Sequence, residues 1–231
     1  MNQNGMIVTK AGNKLFAKGL EELAAEQHTG PSDDTALRND YFNLTDEEKI
    51  RIISSHFRQI MNTLGLDLTD DSLKGTPHRV AKMFVKEIFS GLNPKNKPAI
   101  ALFENKYKYD QILVQKNIAL YSNCEHHFVP IVGKAHVAYI SSGKVIELSK
   151  MNRLVQYFAQ RPQVQERLTM QIANELKTIL GSESVAVVID AVHLCVSSRE
   201  VQDTNSSTIT SHYSGKFRQE DIKNEFLSLI R

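Results

Sequence analysis

Cysteine is scarce in this chain: two residues among 231 exclude a disulfide-stapled scaffold, and a reducing compartment would keep both as thiols able to ionise. Long apolar runs are missing, and no window approaches the roughly 20 residues needed to cross a bilayer. The opening stretch, Met1 to Lys10, has no sustained apolar core followed by a small-residue cleavage site. An excess of one charge is missing too. The 28 basic and 26 acidic residues leave a net +2, which argues against a general electrostatic nucleic-acid surface. Internal repeats and low-complexity linkers are absent. Together these absences predict a soluble cytoplasmic protein with no nucleic-acid or membrane partner, long enough to bury a real core in one or two domains.

What is present is unevenly distributed. Residues 1–43 are polar and interrupted by Gly30-Pro31-Ser32-Asp33-Asp34, and although Leu15, Leu20 and Leu23 could lie on a short helix they make no core stripe, so a mobile arm is expected. At Thr45 the pattern changes. Thr45 and Glu48 fit a capping box, and Ile50, Ile53, Phe57 and Ile60 follow at helical spacing. Thr76-Pro77 predicts another helix, Thr as N-cap, with Val80, Phe84 and Ile88 along one side before Gly91. Strands are expected over 111–120 and 134–140, and a helix capped by Ser149 over 149–159. A second helix begins at Pro162, with Val164, Leu168, Ile172, Leu176 and Leu180 as its apolar stripe. A strand over 185–196, a pairing segment over 206–213 and a helix over 221–230 complete the chain. The boundaries expected are an arm over 1–43, a helical region over 44–106 and a catalytic domain over 107–231.

The two cysteines each sit beside histidine. Cys124-Glu125-His126-His127 and His193-Leu194-Cys195 supply the thiolate and imidazole donors that a borderline-soft ion such as zinc prefers. A period of two puts Val185, Val187, Ile189, His193 and Cys195 on one strand face. Cys124 and His127, three apart, can meet on one ion across a tight turn, while His126 projects elsewhere. Cys124, His127 and Cys195 are therefore the expected ligands, and three protein donors leave the open position of a catalytic site. His126 and His193 are then available for proton transfer. Taken singly, each residue favours a buried thiol or a satisfied polar histidine. It is the clustering that favours a metal.

Two helix starts carry cations. Ser149 stands before Lys150 and Arg153, three apart and so on one face, and Arg79 and Lys82 repeat the spacing after Thr76-Pro77. Cations at that end oppose the helix dipole, which a bound polyphosphate would offset; a solvated charged face is the plainer alternative. Arg199, just past Cys195, is a further candidate phosphate contact. Glu166 falls off the apolar stripe of its helix. Its carboxylate can accept paired N–H donors from a guanine edge, or simply answer the helix dipole.

Cys124 to Ile140 reads Cys-Glu-His-His-Phe-Val-Pro-Ile-Val-Gly-Lys-Ala-His-Val-Ala-Tyr-Ile. With Leu-Ser-Lys-Met-Asn-Arg from 148, Arg-Pro-Gln-Val-Gln-Glu-Arg-Leu-Thr from 161 and His-Leu-Cys-Val from 193, it resembles zinc-dependent GTP cyclohydrolase I from about Leu44 to the end of the chain. The resemblance implies an α+β tunnelling fold, an antiparallel sheet with helices packed on one side after a helical N-terminal region. It implies conversion of GTP and water to formate and 7,8-dihydroneopterin triphosphate, the first step toward tetrahydrofolate and other pterins. Zinc on Cys124, His127 and Cys195 is implied, as are Glu166 on guanine and Arg79, Lys82, Ser149, Lys150, Arg153 and Arg199 around the triphosphate. His126 is similar to the acid that protonates purine N7, and His193 lines the reaction site, with Ser149 a further proton handler. A homodecamer of two stacked pentamers, with active sites at subunit contacts, is also implied. Two positions depart from the family's usual glycines, Glu147 and Glu200. Each either repels a triphosphate or pairs with nearby cations. A catalytically weakened homologue and a zinc-stabilised interaction protein are the alternative functions.

Overall fold

The computed structural model describes residues 34–38, 40, 43–199 and 201–231. Most of the expected arm, including Leu15, Leu20, Leu23 and residues 30–33, lies outside the described residues, as does Glu200. Helix α1, Asp46–Thr63, begins at the anticipated capping box: the Glu48 amide donates to Thr45 Oγ1 at 3.2 Å and the Thr45 amide donates to Glu48 Oε2 at 2.8 Å. Two of the orphan amides of the first turn are thereby satisfied. Its apolar stripe is poorly covered, with Met61 its only buried residue and Ile60 half exposed.

Helix α2, Thr76–Met83, starts one residue earlier than the expected Thr cap, with Gly75 before it and Pro77 in its first turn. The Thr76 hydroxyl is already engaged, because Arg79 donates to it at 3.1 Å. The chain then widens into a π-helical turn, Phe84–Ile88, and reaches Gly91. There the backbone presses on the end of a later helix: the Gly91 amide donates to the Gln160 carbonyl at 2.9 Å, and a Cβ at Gly91 would stand 2.0 Å from the Tyr157 carbonyl oxygen. Only glycine permits that approach.

A five-stranded sheet has the order β5-β2-β3-β6-β7, built from β2 Ile112–Cys124, β3 Pro130–Ile140, β5 Pro162–Gln163, β6 Val185–His193 and β7 Thr208–Tyr213. All pairings in it are antiparallel except that of β5 with β2. A separate two-stranded ladder joins β1, Leu102–Glu104, to β4, Lys144–Ile146. Helices α3, Leu148–Ala159, and α4, Gln165–Leu180, cover one face of the large sheet. Alternation decides which strand residues meet them: Val185, Val187 and Ile189 point into this core, as expected, with Leu168, Ile172, Leu176 and Leu180 of α4. Each such side chain, fully buried, contributes about 2 kcal/mol of transfer free energy. The intervening Ala186 and Val188 face the other way, where Phe217 and Phe226 bury them beneath the terminal helix α6, Glu220–Ile230. This is the α+β architecture expected, with a small second layer on the opposite face.

Two boundaries differ from the sequence reading in ways that shape the site. Pro162 does not open a helix; Pro162 and Gln163 run extended beside Asn123 and Cys124, and α4 starts at Gln165. The Gln163 carbonyl is thereby free of helical bonding and accepts from the Glu125 amide at 3.0 Å. Strand β6 ends at His193, not Val196, and Leu194–Ser197 form one helical turn, α5. The ladder stops there because the last partner of β6 on β3 is Ile131, next to Pro130, which has no N–H to donate. Among the described residues no helix is long and apolar enough to cross a membrane.

Candidate active site

Strands β2 and β6 both run antiparallel to β3, so their C-terminal ends meet at the same edge of the sheet. They are separated there by β3, roughly 10 Å at ordinary strand spacing. Turn α5 closes that gap. By leaving the strand path after His193 it carries Cys195 toward β2, so a change of direction brings the two cysteines together, and His193 and Cys195 do not share the strand face that the alternation had suggested. On the other side, residues 125–127 form the expected tight turn, closed by the Phe128 amide donating to the Cys124 carbonyl at 2.8 Å. Phe128 takes a left-handed conformation, φ 54°, and its ring meets Phe89 at 5.0 Å. That contact ties the loop to the helical region.

One donor atom each from Cys124, His127 and Cys195 lies within 4.8 Å of the others. His126 does not project wholly elsewhere: its Nδ1 is 3.5 Å from Cys124 Sγ, nearer than His127 Nδ1 at 3.9 Å. His127 differs in that one of its ring nitrogens lies within 4.8 Å of both sulfurs. Burial pushes the Cys195 thiol above its ordinary value and the adjacent Cys124 thiol pushes it further, while Arg199 pulls the other way. The crowding of the two sulfurs thus opposes ionisation of Cys195. A divalent cation between them reverses that preference, and a soft S, N, S donor set fits zinc.

His193 is held from behind. Its Nε2 lies 2.8 Å from Gln165 Oε1, and Gln165, which is 1% exposed, directs its amide nitrogen at the Ile189 carbonyl, the Thr208 carbonyl and Thr210 Oγ1. With that nitrogen committed to acceptors, Oε1 receives the Nε2 proton of His193, which leaves Nδ1 as the basic nitrogen. Burial pushes the His193 imidazole below its ordinary value, and the nearby Glu166 carboxylate draws it back up. Gln165 was missed by sequence reasoning. Its signal is position: it stands three and seven residues before Leu168 and Ile172, a polar side chain on the stripe that packs into the core.

The anion-binding residues are less gathered. Ser149 is not the cap of α3; Glu147 precedes the helix, and the Ser149 hydroxyl in the first turn donates to the Glu147 carboxylate. Lys150 Nζ stands 4.0 Å from the same carboxylate. Glu147 therefore stands at the limit of ion-pair distance from a nearby cation. Arg79 donates to the Ser72 carbonyl at 3.0 Å as well as to Thr76, while Lys82 and Arg153 are exposed. Among the described residues, none of Arg79, Lys82, Lys150 and Arg153 bonds to the loop that holds the thiols. Arg199 and Glu166 do feel the site, through Cys195 and His193 respectively.

An α+β domain that brings two thiols and an imidazole together at the end of its sheet, with a fixed histidine two residues from one of the thiols, has the donors of a metal centre. Residues 53–231 match the family model described as GTP cyclohydrolase I. The chain is 59% identical over 212 residues to GTP cyclohydrolase 1 of Flavobacterium johnsoniae, covering 92% of this chain and 95% of that one. It is 53% identical over 218 residues to GTP cyclohydrolase 1 of Citrobacter koseri and 52% over 218 residues to that of an Escherichia coli strain, in each case covering 94% of this chain and 92% of the other. The chain belongs to the GTP cyclohydrolase I family, with that family's activity on GTP and its dependence on zinc.

Proposed function

We propose that Cys124, His127 and Cys195 hold the zinc and that the side chains around them open the imidazole ring of GTP, giving formate and 7,8-dihydroneopterin triphosphate. The observation that carries this reading is the three-donor cluster, within 4.8 Å, at the sheet edge where His193 is fixed. When bound, zinc supplies the acidity that makes water a nucleophile near pH 7. His126 protonates N7 as water adds to C8, and the C8–N9 bond opens to a formamide. A second hydration releases formate; the freed amine and the opened ribose then rearrange and close into the dihydropterin ring with loss of one water, for a net uptake of one. His193, with Nδ1 basic, and the Ser149 hydroxyl are the proton handlers of these later steps. Glu166 accepts the paired N–H donors of the guanine edge. Arg79, Lys82, Lys150, Arg153 and Arg199 neutralise the triphosphate. Incubated with GTP, the protein is expected to yield a fluorescent pterin after oxidation and to lose that yield on chelation. Zinc retention with little formate would mark a catalytically weakened homologue instead.

The dispersal of the cations in one chain supports a site completed between subunits of a homodecamer, two stacked pentameric rings. So do the outer edge of β7, which among the described residues pairs with β6 alone, and exposed apolar side chains such as Leu64 at 72% and Ile209 at 66%. Mass photometry should find a particle ten times the chain mass of 26.1 kDa; a monomer would overturn this assembly. We also take residues 44–106 as a helical region docked on a catalytic domain over 107–231, preceded by an arm over 1–43. A cytoplasmic location suits a site that needs both cysteines reduced.

A further inference from the structure

Arg167 follows Glu166 in the first turns of α4, yet its side chain is 3% exposed and its guanidinium faces the metal loop. Nε donates to Gln163 Oε1 at 3.0 Å, and Nη2 donates to the Pro162 carbonyl at 3.1 Å and forms an ion pair with Glu125. Gln163 is itself fully buried and is fixed by donating to the Phe158 carbonyl and Gln171 Oε1, both at 2.8 Å. Glu125 is the residue between the ligand Cys124 and the proton donor His126, and its amide bonds to the Gln163 carbonyl. One guanidinium therefore joins the loop that carries two of the zinc ligands, the short strand β5, and the helix start that carries Gln165 and Glu166.

Fold stability gives a poor account of this arrangement. A buried ion pair is often no more stabilising than apolar side chains of the same volume, because both charges must be desolvated. What the pair adds is direction. A planar guanidinium with two donor edges fixes the angle between its partners, as an ammonium does not. We propose that Arg167, acting through Glu125, is a positioning residue that sets the metal loop against the first turn of α4, so that zinc affinity depends on a side chain that never touches the ion. The proposal rests on Cys124, His127 and Cys195 being the zinc ligands.

Arg167→Lys keeps the charge and loses the fork. Its zinc dissociation constant, measured by competition with a chelator, is expected to rise about 10- to 100-fold, the usual effect of removing a residue that orients a ligand. Glu125→Gln should give a rise of the same size, and the double variant should rise no further than either alone. Glu125 is 27% exposed on its side chain, so this variant carries the test if Arg167→Lys does not fold. Unchanged zinc affinity in a folded variant, with only the melting temperature lowered, would reduce Arg167 to a structural brace and overturn the proposal. Cys195→Ala measured alongside separates the two failures. Zinc retained there sinks the ligand assignment; zinc lost there but held normally by Arg167→Lys and Glu125→Gln sinks the positioning role alone.

Discussion

Cys195→Ala is expected to lose zinc and formate release together. Zinc sites with four protein donors bind with about 10–16 kcal/mol, so one donor contributes about 2.5–4 kcal/mol, on the order of 10²- to 10³-fold in affinity. The fold should survive the change. Cys195 sits in a single helical turn, is only partly buried and packs at the margin of the core, and alanine suits helical backbone. Metal content after dialysis, circular dichroism and a formate assay on one preparation decide the matter. A folded variant with full zinc occupancy refutes the ligand assignment. A folded variant without zinc that still releases formate removes the metal from the reaction.

The donor cluster was legible in the sequence because much of its signal is local. Cys124 and His127 need only one turn between them, and the turn formed where the spacing put it. The α4 stripe was legible for the same reason, since Leu168, Ile172, Leu176 and Leu180 repeat with the helix and all four are buried. What the sequence concealed depends on partners distant along the chain. Val192, Leu194 and Val196 read as a continuous strand, and nothing local announces that β3 runs out of hydrogen-bond donors at Pro130. Pro162 has the form of a helix start, but its neighbours are claimed by β2. Gln165 and Arg167 carry no local chemistry that sets them apart from other polar residues of a helix. Their importance comes from His193 and Glu125, which lie 28 and 42 residues away. The stripe on α1 shows the opposite failure: a sound helical pattern leaves Ile60 half exposed because its cover is not supplied by the described residues of this chain.

His126→Ala should keep its zinc and lose ring opening, with formate release reduced about 10²- to 10⁴-fold, the range a positioned general acid supplies. The two adjacent histidines make this the sharper test of the site. His126 Nδ1 is the nearer of the two to Cys124 Sγ, at 3.5 Å, but His127 is the one within reach of both sulfurs. If proximity to a single thiol were enough to make a ligand, His126→Ala would lose metal, and the roles of the two residues would exchange. If His126 instead acted after the first bond cleavage, the variant would accumulate a ring-opened formamide, separable from GTP by chromatography, while the pterin failed to appear. Normal zinc with neither intermediate nor formate places the proton at N7 in the first step; unchanged turnover removes His126 from the mechanism. The first outcome is favoured by geometry. A donor that protonates the ring as water adds to it must stand beside the ion without being consumed by it, and the exposed imidazole of His126, adjacent to the proposed ligand His127, meets both conditions.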